Sequence, residues 1–224
     1  MTALRVATSA ILGLMLFAAL VFVPAGTLRY WQAWVFLAVF AVCTLGPSIH
    51  LAVHYPAALD RRMKVGPTAE TRPAQRLIIV GAWLMFVLIV VVSVLDWRMG
   101  WSSVPVWAVI VGDVLVAAGL LSTQLVVVQN NYAGASIRIE EGQPLVSTGL
   151  YCVVRHPMYS AALVMTVGIP PALGSWWGLL VVAATFPPVF VARILDEERA
   201  LTAELAGYPQ YQARVRYRLV PGVW

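Results

Sequence analysis

Apolar residues gather along this chain into six runs separated by polar stretches. Four of them, Val6 to Val23, Ala33 to Val53, Leu77 to Leu95 and Val104 to Val128, meet or approach the about 20 residues that cross a hydrocarbon core about 30 Å thick. Two shorter runs follow, Tyr159 to Leu173 and Trp176 to Ala192, each with a proline pair, Pro170-Pro171 and Pro187-Pro188. Proline removes a backbone donor and kinks a helix, so this part reads as a bent helical hairpin joined at Gly174-Ser175. Broken helices are tolerated in a membrane where protein or a cavity shields the backbone. The pattern predicts an all-α fold, a polytopic transmembrane bundle of about six membrane segments. The first run lacks a small-residue cleavage site and precedes five more, so it reads as a spanning helix rather than a signal peptide.

Composition agrees. Of the 224 residues, 61% are hydrophobic and 11% charged, against about 25% charged in a soluble domain. The two cysteines, Cys43 and Cys152, form no metal or disulfide pattern. Fourteen arginines and one lysine, with abundant Ala and Val, suggest a GC-rich bacterial source. If the N-terminus is cytoplasmic and all six runs cross, thirteen basic residues fall inside and only Arg29 and Arg98 outside. The inner set is Arg5, Arg61, Arg62, Lys64, Arg72, Arg76, Arg138, Arg155, Arg193, Arg199, Arg214, Arg216 and Arg218. The expected location is therefore the bacterial inner membrane, with both termini cytoplasmic. Trp31, Trp34, Trp97, Trp101, Trp107, Trp176 and Trp177 gather near the outer boundary, as interfacial aromatics do. The net charge of +5 is no nucleic-acid signal, because the basic residues sort by membrane side.

Polar sequence concentrates in His54 to Arg76, Gln129 to Pro157 and Arg193 to Trp224. The last two flank the hairpin and so meet at its cytoplasmic mouth. One domain is expected over 1–224, with N-terminal helices in 1–129 and a cofactor-binding region in 130–224.

Chemistry can reside in few places. Arg155-His156-Pro157-Met158-Tyr159 lies where the chain enters the membrane, and proline suits a first helical turn. Free N–H groups there can bind an anion, and Tyr151 and Tyr159 could flank a planar base; an interfacial belt of snorkelling Arg and anchoring Tyr reads the same way. Arg193 and Glu197, at i and i+4, share a helix face. They can hold an anionic substrate and ribose hydroxyls, or be a solvated ion pair. The segment from Gly207 to Trp224 reads as an interfacial tail against anionic lipid. Asp113 is an acid inside an apolar run, roughly 13 Å deep, either functional or structurally hydrogen-bonded. His50 and His54 read as structural or interfacial.

Together Tyr151, Arg155-His156-Pro157-x-Tyr159, Arg193-x-x-x-Glu197-Glu198, Gly207-Tyr208 and Tyr211 resemble the isoprenylcysteine carboxyl methyltransferases and the related phospholipid N-methyltransferases. The resemblance covers about Asn130 to Trp224. It implies an S-adenosyl-L-methionine pocket on the cytoplasmic side. Gln143, Pro144, Leu145, Val146, Tyr151, His156, Pro157, Met158, Tyr159, Glu197 and Glu198 would contact the cofactor. Arg193 would face the substrate, and Arg193 and Glu197 would carry the catalysis. It implies methyl transfer to a lipophilic acceptor, an isoprenylcysteine-type carboxylate or a lipid head group, with membrane lipids as neighbours and neither metal nor nucleic acid. One further cofactor contact in the family falls within Ser136 to Glu141, where the residues align poorly. Two alternatives stand beside this one: an NADPH-dependent membrane reductase related to sterol reductases, and a non-enzymatic scaffold or transport subunit. A soluble-type methyltransferase is excluded, because no glycine-rich strand-turn-helix pattern occurs.

Overall fold

A helix stands at each of the six apolar runs in the computed structural model, which describes residues 3–63, 66, 70, 72–134, 139 and 142–224. Lys64, Arg138 and most of Ser136 to Glu141 lie outside the described residues, as does the side chain of Arg5. The helices are α1 (Ala3–Ala25), α2 (Trp31–His54), α3 (Pro56–Met63), α4 (Pro73–Met99), α5 (Val106–Gln129), α6 (Pro157–Ala172), α7 (Trp177–Glu204) and α8 (Tyr208–Arg214). No strand occurs among the described residues, so the fold is all-α. Four helices, α2, α4, α5 and α7, are long and apolar enough to cross a membrane; in α1 the apolar stretch Ile11–Ala25 is shorter.

The hairpin α6–α7 forms the centre. α6 packs along α5, and α7 along α4. Small residues make the first contact possible. A Cβ on Gly112 would lie 2.3 Å from the Ala172 backbone, one on Gly119 2.6 Å from Ala161, and one on Gly168 2.7 Å from Gly112. Lipid offers no hydrophobic drive for helix association, so close backbone approach through small residues supplies the packing energy. Phe17, Phe36, Ile89, Val94, Val116, Ile169, Leu173, Phe186 and Ile194 fill the core between these helices. Val42, Leu77, Leu84, Val114 and Leu180 face outward, as residues touching lipid tails do.

The proline pairs behave differently from each other. Pro170 and Pro171 fall in the last turn of α6, just before Gly174 turns the chain at φ 73°. Pro187 and Pro188 lie inside α7, which continues past Ala192 to Glu204. The added length is rich in Ala, Leu, Glu and Arg, all good helix formers. It extends one helix face from Arg193 through Glu197 and Leu201 towards Leu205.

At the end bearing the α6–α7 turn, Asp96 is fully buried. Its carboxylate accepts from Ser102 N (2.8 Å), Ser102 Oγ (2.6 Å), Ser175 Oγ (2.6 Å) and Trp177 N (3.2 Å). Tyr30 donates to the Leu173 carbonyl and stacks on Trp97 at 3.8 Å. This clasp ties α4 to the hairpin turn. Asp113 is buried in α5, and its Oδ1 has no hydrogen-bond partner among the described residues.

The C-terminal segment departs from the interfacial-tail expectation. Tyr208, Tyr211, Val215 and Leu219 are buried against the protein. Tyr217 and Arg218 carbonyls accept from Arg155 N (2.9 Å) and His156 N (3.0 Å). The backbone amides ahead of Pro157 are thus occupied by the tail, which buries its apolar side on the helix bundle instead of on lipid.

Candidate active site

At the opposite end of α7 from Asp96, five segments converge on a cavity that opens to the outside. One wall is Gln143, Pro144, Leu145 and Val146; another is Tyr151, His156, Pro157, Met158 and Tyr159; Arg193 and Glu197 face them from α7. Every residue expected at the cofactor therefore lines the cavity except Glu198.

Local structure explains the placement. Gly149 adopts φ 61°, where a Cβ would meet Gln129 at 2.6 Å. Gln129 Oε1 accepts from Leu150 N at 3.0 Å, which fixes the 3₁₀ turn Gly149–Cys152 to the end of α5. Asn130 Nδ2 then donates to Tyr151 Oη at 3.1 Å. Burial, partly offset by that Asn130 contact and reinforced by Glu197, pushes the Tyr151 hydroxyl up to about 12. It is neutral at physiological pH.

Glu197 and Glu198 are adjacent in sequence but project to different surroundings. Glu197 reaches the cavity and accepts from Tyr159 Oη at 2.6 Å. Tyr159 Oη in turn accepts from Arg193 Nε at 3.0 Å. Glu198 is turned inward, with Arg155 Nε at 2.9 Å, Arg218 Nε at 3.0 Å and His156 Nε2 at 3.3 Å. Glu198 thus braces the motif against the tail rather than touching the cavity. A residue one position along a helix is rotated by about 100°, so two neighbouring acids cannot share one face.

Arg193 is buried and lines the cavity, yet its guanidinium is engaged. Nη1 donates to Gln75 Oε1 at 2.8 Å, and Nη1 and Nη2 both lie 3.3 Å from Glu70 Oε1. Gln75 also donates to Asp196, which pairs with Arg72 Nη1 at 3.1 Å. An acceptor carboxylate at Arg193 would meet a cation already compensated by Glu70. The i,i+4 partner Glu197 is linked to it through Tyr159.

Sequence reasoning did not single out Glu70, Gln75, Asn130, Tyr132, Leu201 or Leu205. Leu201 and Leu205 were recoverable, since they continue the Arg193–Glu197 face at intervals of four. Glu70 and Gln75 carry no sequence signal, because they reach α7 across 123 and 118 positions. Among the described residues no group of three His, Cys, Asp or Glu could hold a metal ion.

The sequence profile of the phospholipid methyltransferase family matches residues 107–206. The cobalt-zinc-cadmium resistance protein CzcN of Cupriavidus metallidurans is 27% identical over 135 residues, 60% of each chain. The nickel-cobalt-cadmium resistance protein NccN of Alcaligenes xylosoxydans xylosoxydans is 24% identical over 135 residues, 60% of this chain and 61% of that one. The chain thus spans about three fifths of the length of these relatives. The eukaryotic intramembrane Ras methyltransferase, isoprenylcysteine carboxyl methyltransferase, aligns in structure over 97% of this chain and 86% of its own, at 14% identity and a TM-score of 0.47. From the start of α5 to just past the end of α7, the chain is thus similar to the phospholipid methyltransferase family.

Proposed function

We propose that this chain transfers a methyl group from S-adenosyl-L-methionine to a lipophilic acceptor at the cytoplasmic face of a bacterial inner membrane. The observation that carries this reading is the Arg193–Tyr159–Glu197 chain on the wall of an open cavity lined by the motif residues. The residues fit the cofactor. Tyr151, Leu201 and Leu205 offer flat apolar surface for a base, and Glu197 offers a carboxylate for hydroxyls or an ammonium. The bound cofactor supplies an activated sulfonium methyl whose leaving thioether is neutral.

The chain's own task is then alignment and exclusion of water. Tyr159 fixes one oxygen of Glu197, and Arg193 fixes Tyr159. An ionised acceptor carboxylate needs no base, and it would compete with Glu70 for Arg193. An amine acceptor must lose a proton first, and Glu197 is the carboxylate that faces the cavity. Glu198 is not available for that role, since Arg155, Arg218 and His156 hold it. Amine methylation rises with pH as the ammonium deprotonates, while carboxylate methylation stays flatter. In this orientation the cavity, with Arg155 and Arg193 on its lining, opens on the cytoplasmic side, and both termini are cytoplasmic.

Calorimetry on the purified chain in detergent, beside Glu197→Gln, tests the reading. Saturable binding of S-adenosylmethionine, weakened at least tenfold in the variant, is the expected result; tenfold corresponds to about 1.4 kcal/mol. A folded native chain that binds none would overturn it, and NADPH would be the next ligand to titrate.

A further inference from the structure

The cavity is graded along α7. Arg193 and Glu197 face it at one end, Leu201 and Leu205 at the other, over roughly 18 Å at 1.5 Å per residue. Beside Leu205, α8 adds two tyrosines whose ring centroids are 5.7 Å apart. Their hydroxyls differ. Tyr211 Oη donates to the Tyr151 carbonyl at 2.7 Å. Tyr208 is only 3% exposed, lines the cavity, and its Oη has no hydrogen-bond partner among the described residues.

A buried hydroxyl without a partner destabilises a fold, because it gives up its bond to water and gains none. Phenylalanine would fill the same space without that cost. Leu145 and Tyr151 pack against the buried cluster that holds Tyr208 and Leu205, and these side chains make this part of the cavity flat and apolar. Burial first, then Glu198 and Glu197, raise the Tyr208 hydroxyl above its ordinary range, so it stays neutral and can both donate and accept. A group that suits a hydroxyl and a flat apolar slot together is a heteroaromatic ring with edge nitrogens.

We propose that the α8 end of the cavity seats the purine base of the cofactor, and that the Tyr208 hydroxyl makes a hydrogen bond to the edge of that base. The inference rests on the cofactor reading above and adds a recognition residue to it. It orders the cavity, with the base at Leu205 and Tyr208 and the methyl donor towards Glu197 and Arg193.

The test compares the native chain with Tyr208→Phe in detergent. Binding of S-adenosylhomocysteine and of its 1-deaza, 3-deaza, 7-deaza and 6-oxo analogues is measured by calorimetry. Thermal unfolding is measured without ligand. The variant should keep or raise the unfolding temperature while binding the parent ligand roughly three- to tenfold more weakly. The native chain should discriminate against one analogue, and the variant should lose that discrimination. Native-like affinity in the variant, unchanged discrimination, or a lowered unfolding temperature would each overturn the assignment. A native chain that binds no S-adenosylhomocysteine would overturn the cofactor reading and this inference with it.

Discussion

Two buried acidic centres sit at opposite ends of α7, and they are built differently. At the turn end, one carboxylate, Asp96, takes four hydrogen bonds from two serines and two backbone amides. No arginine is among those donors. At the motif end, three glutamates face three arginines, a histidine and a tyrosine around an open cavity. Neutral donors suffice to satisfy one charge, and they hold a turn in a single geometry. Paired ions leave net charge adjustable, and one of the acids, Glu197, is left facing the cavity. The first centre is a fastener; the second is a fastener in Glu198 and, under the proposed function, a working group in Glu197.

The largest expected effect that would break this comparison is at Glu198. Glu198→Ala leaves Arg155 and Arg218 without their shared carboxylate, and removal of one partner of a buried ion cluster costs about 3–5 kcal/mol. Thermal unfolding should show a fall that ligand does not restore. Next is Asp96→Ala, which strands the Ser102 and Ser175 hydroxyls and should cost about 2–3 kcal/mol. Cofactor affinity of the fraction still folded should stay native, since Asp96 lies at the far end. A large loss of affinity there would mean that the two ends are coupled.

A smaller effect is expected at Glu70. Glu70→Gln keeps a hydrogen-bond acceptor beside Arg193 but removes the compensating charge. Binding of an anionic prenyl-thioether carboxylate should tighten by a few-fold, about 1 kcal/mol. Equal affinity in native and variant would show that the acceptor does not approach Arg193. The smallest effect is at Tyr151. Burial pushes its hydroxyl up to about 12 from the ordinary value of about 10. The raised value means that its contribution to stability is complete below pH 10 and is lost as pH rises through 12. Tyr151→Phe should remove that alkaline loss from unfolding curves and leave the range from pH 6 to 9 unchanged.

Legibility in the sequence followed the range of the interaction. The apolar runs predicted helices at the right places, because a bilayer enforces length and apolarity within each segment. The i,i+4 relation of Arg193 and Glu197 was readable, because helix geometry is local. Glu198 was grouped with Glu197 by adjacency, and the helix turned it the other way. Arg193 was expected to await an anion, and a glutamate from the α3–α4 connection already sits on it. The tail from Gly207 was read as lying on lipid, since spaced arginines and aromatics fit an interface equally well.

The sequence by itself determined that this chain is helical, embedded in a membrane, and carries its polar chemistry at the ends of its last two apolar runs. Those properties depend on solvent preference and on neighbours a few positions away. Only the tertiary structure decided that Glu70 and Gln75 meet Arg193, that Gly112, Gly119 and Gly168 bring α5 against α6, and that Tyr208 lines the cavity with a hydroxyl unpartnered among the described residues. Each of these joins residues far apart in the chain, and a linear pattern holds no record of which distant side chains share one space.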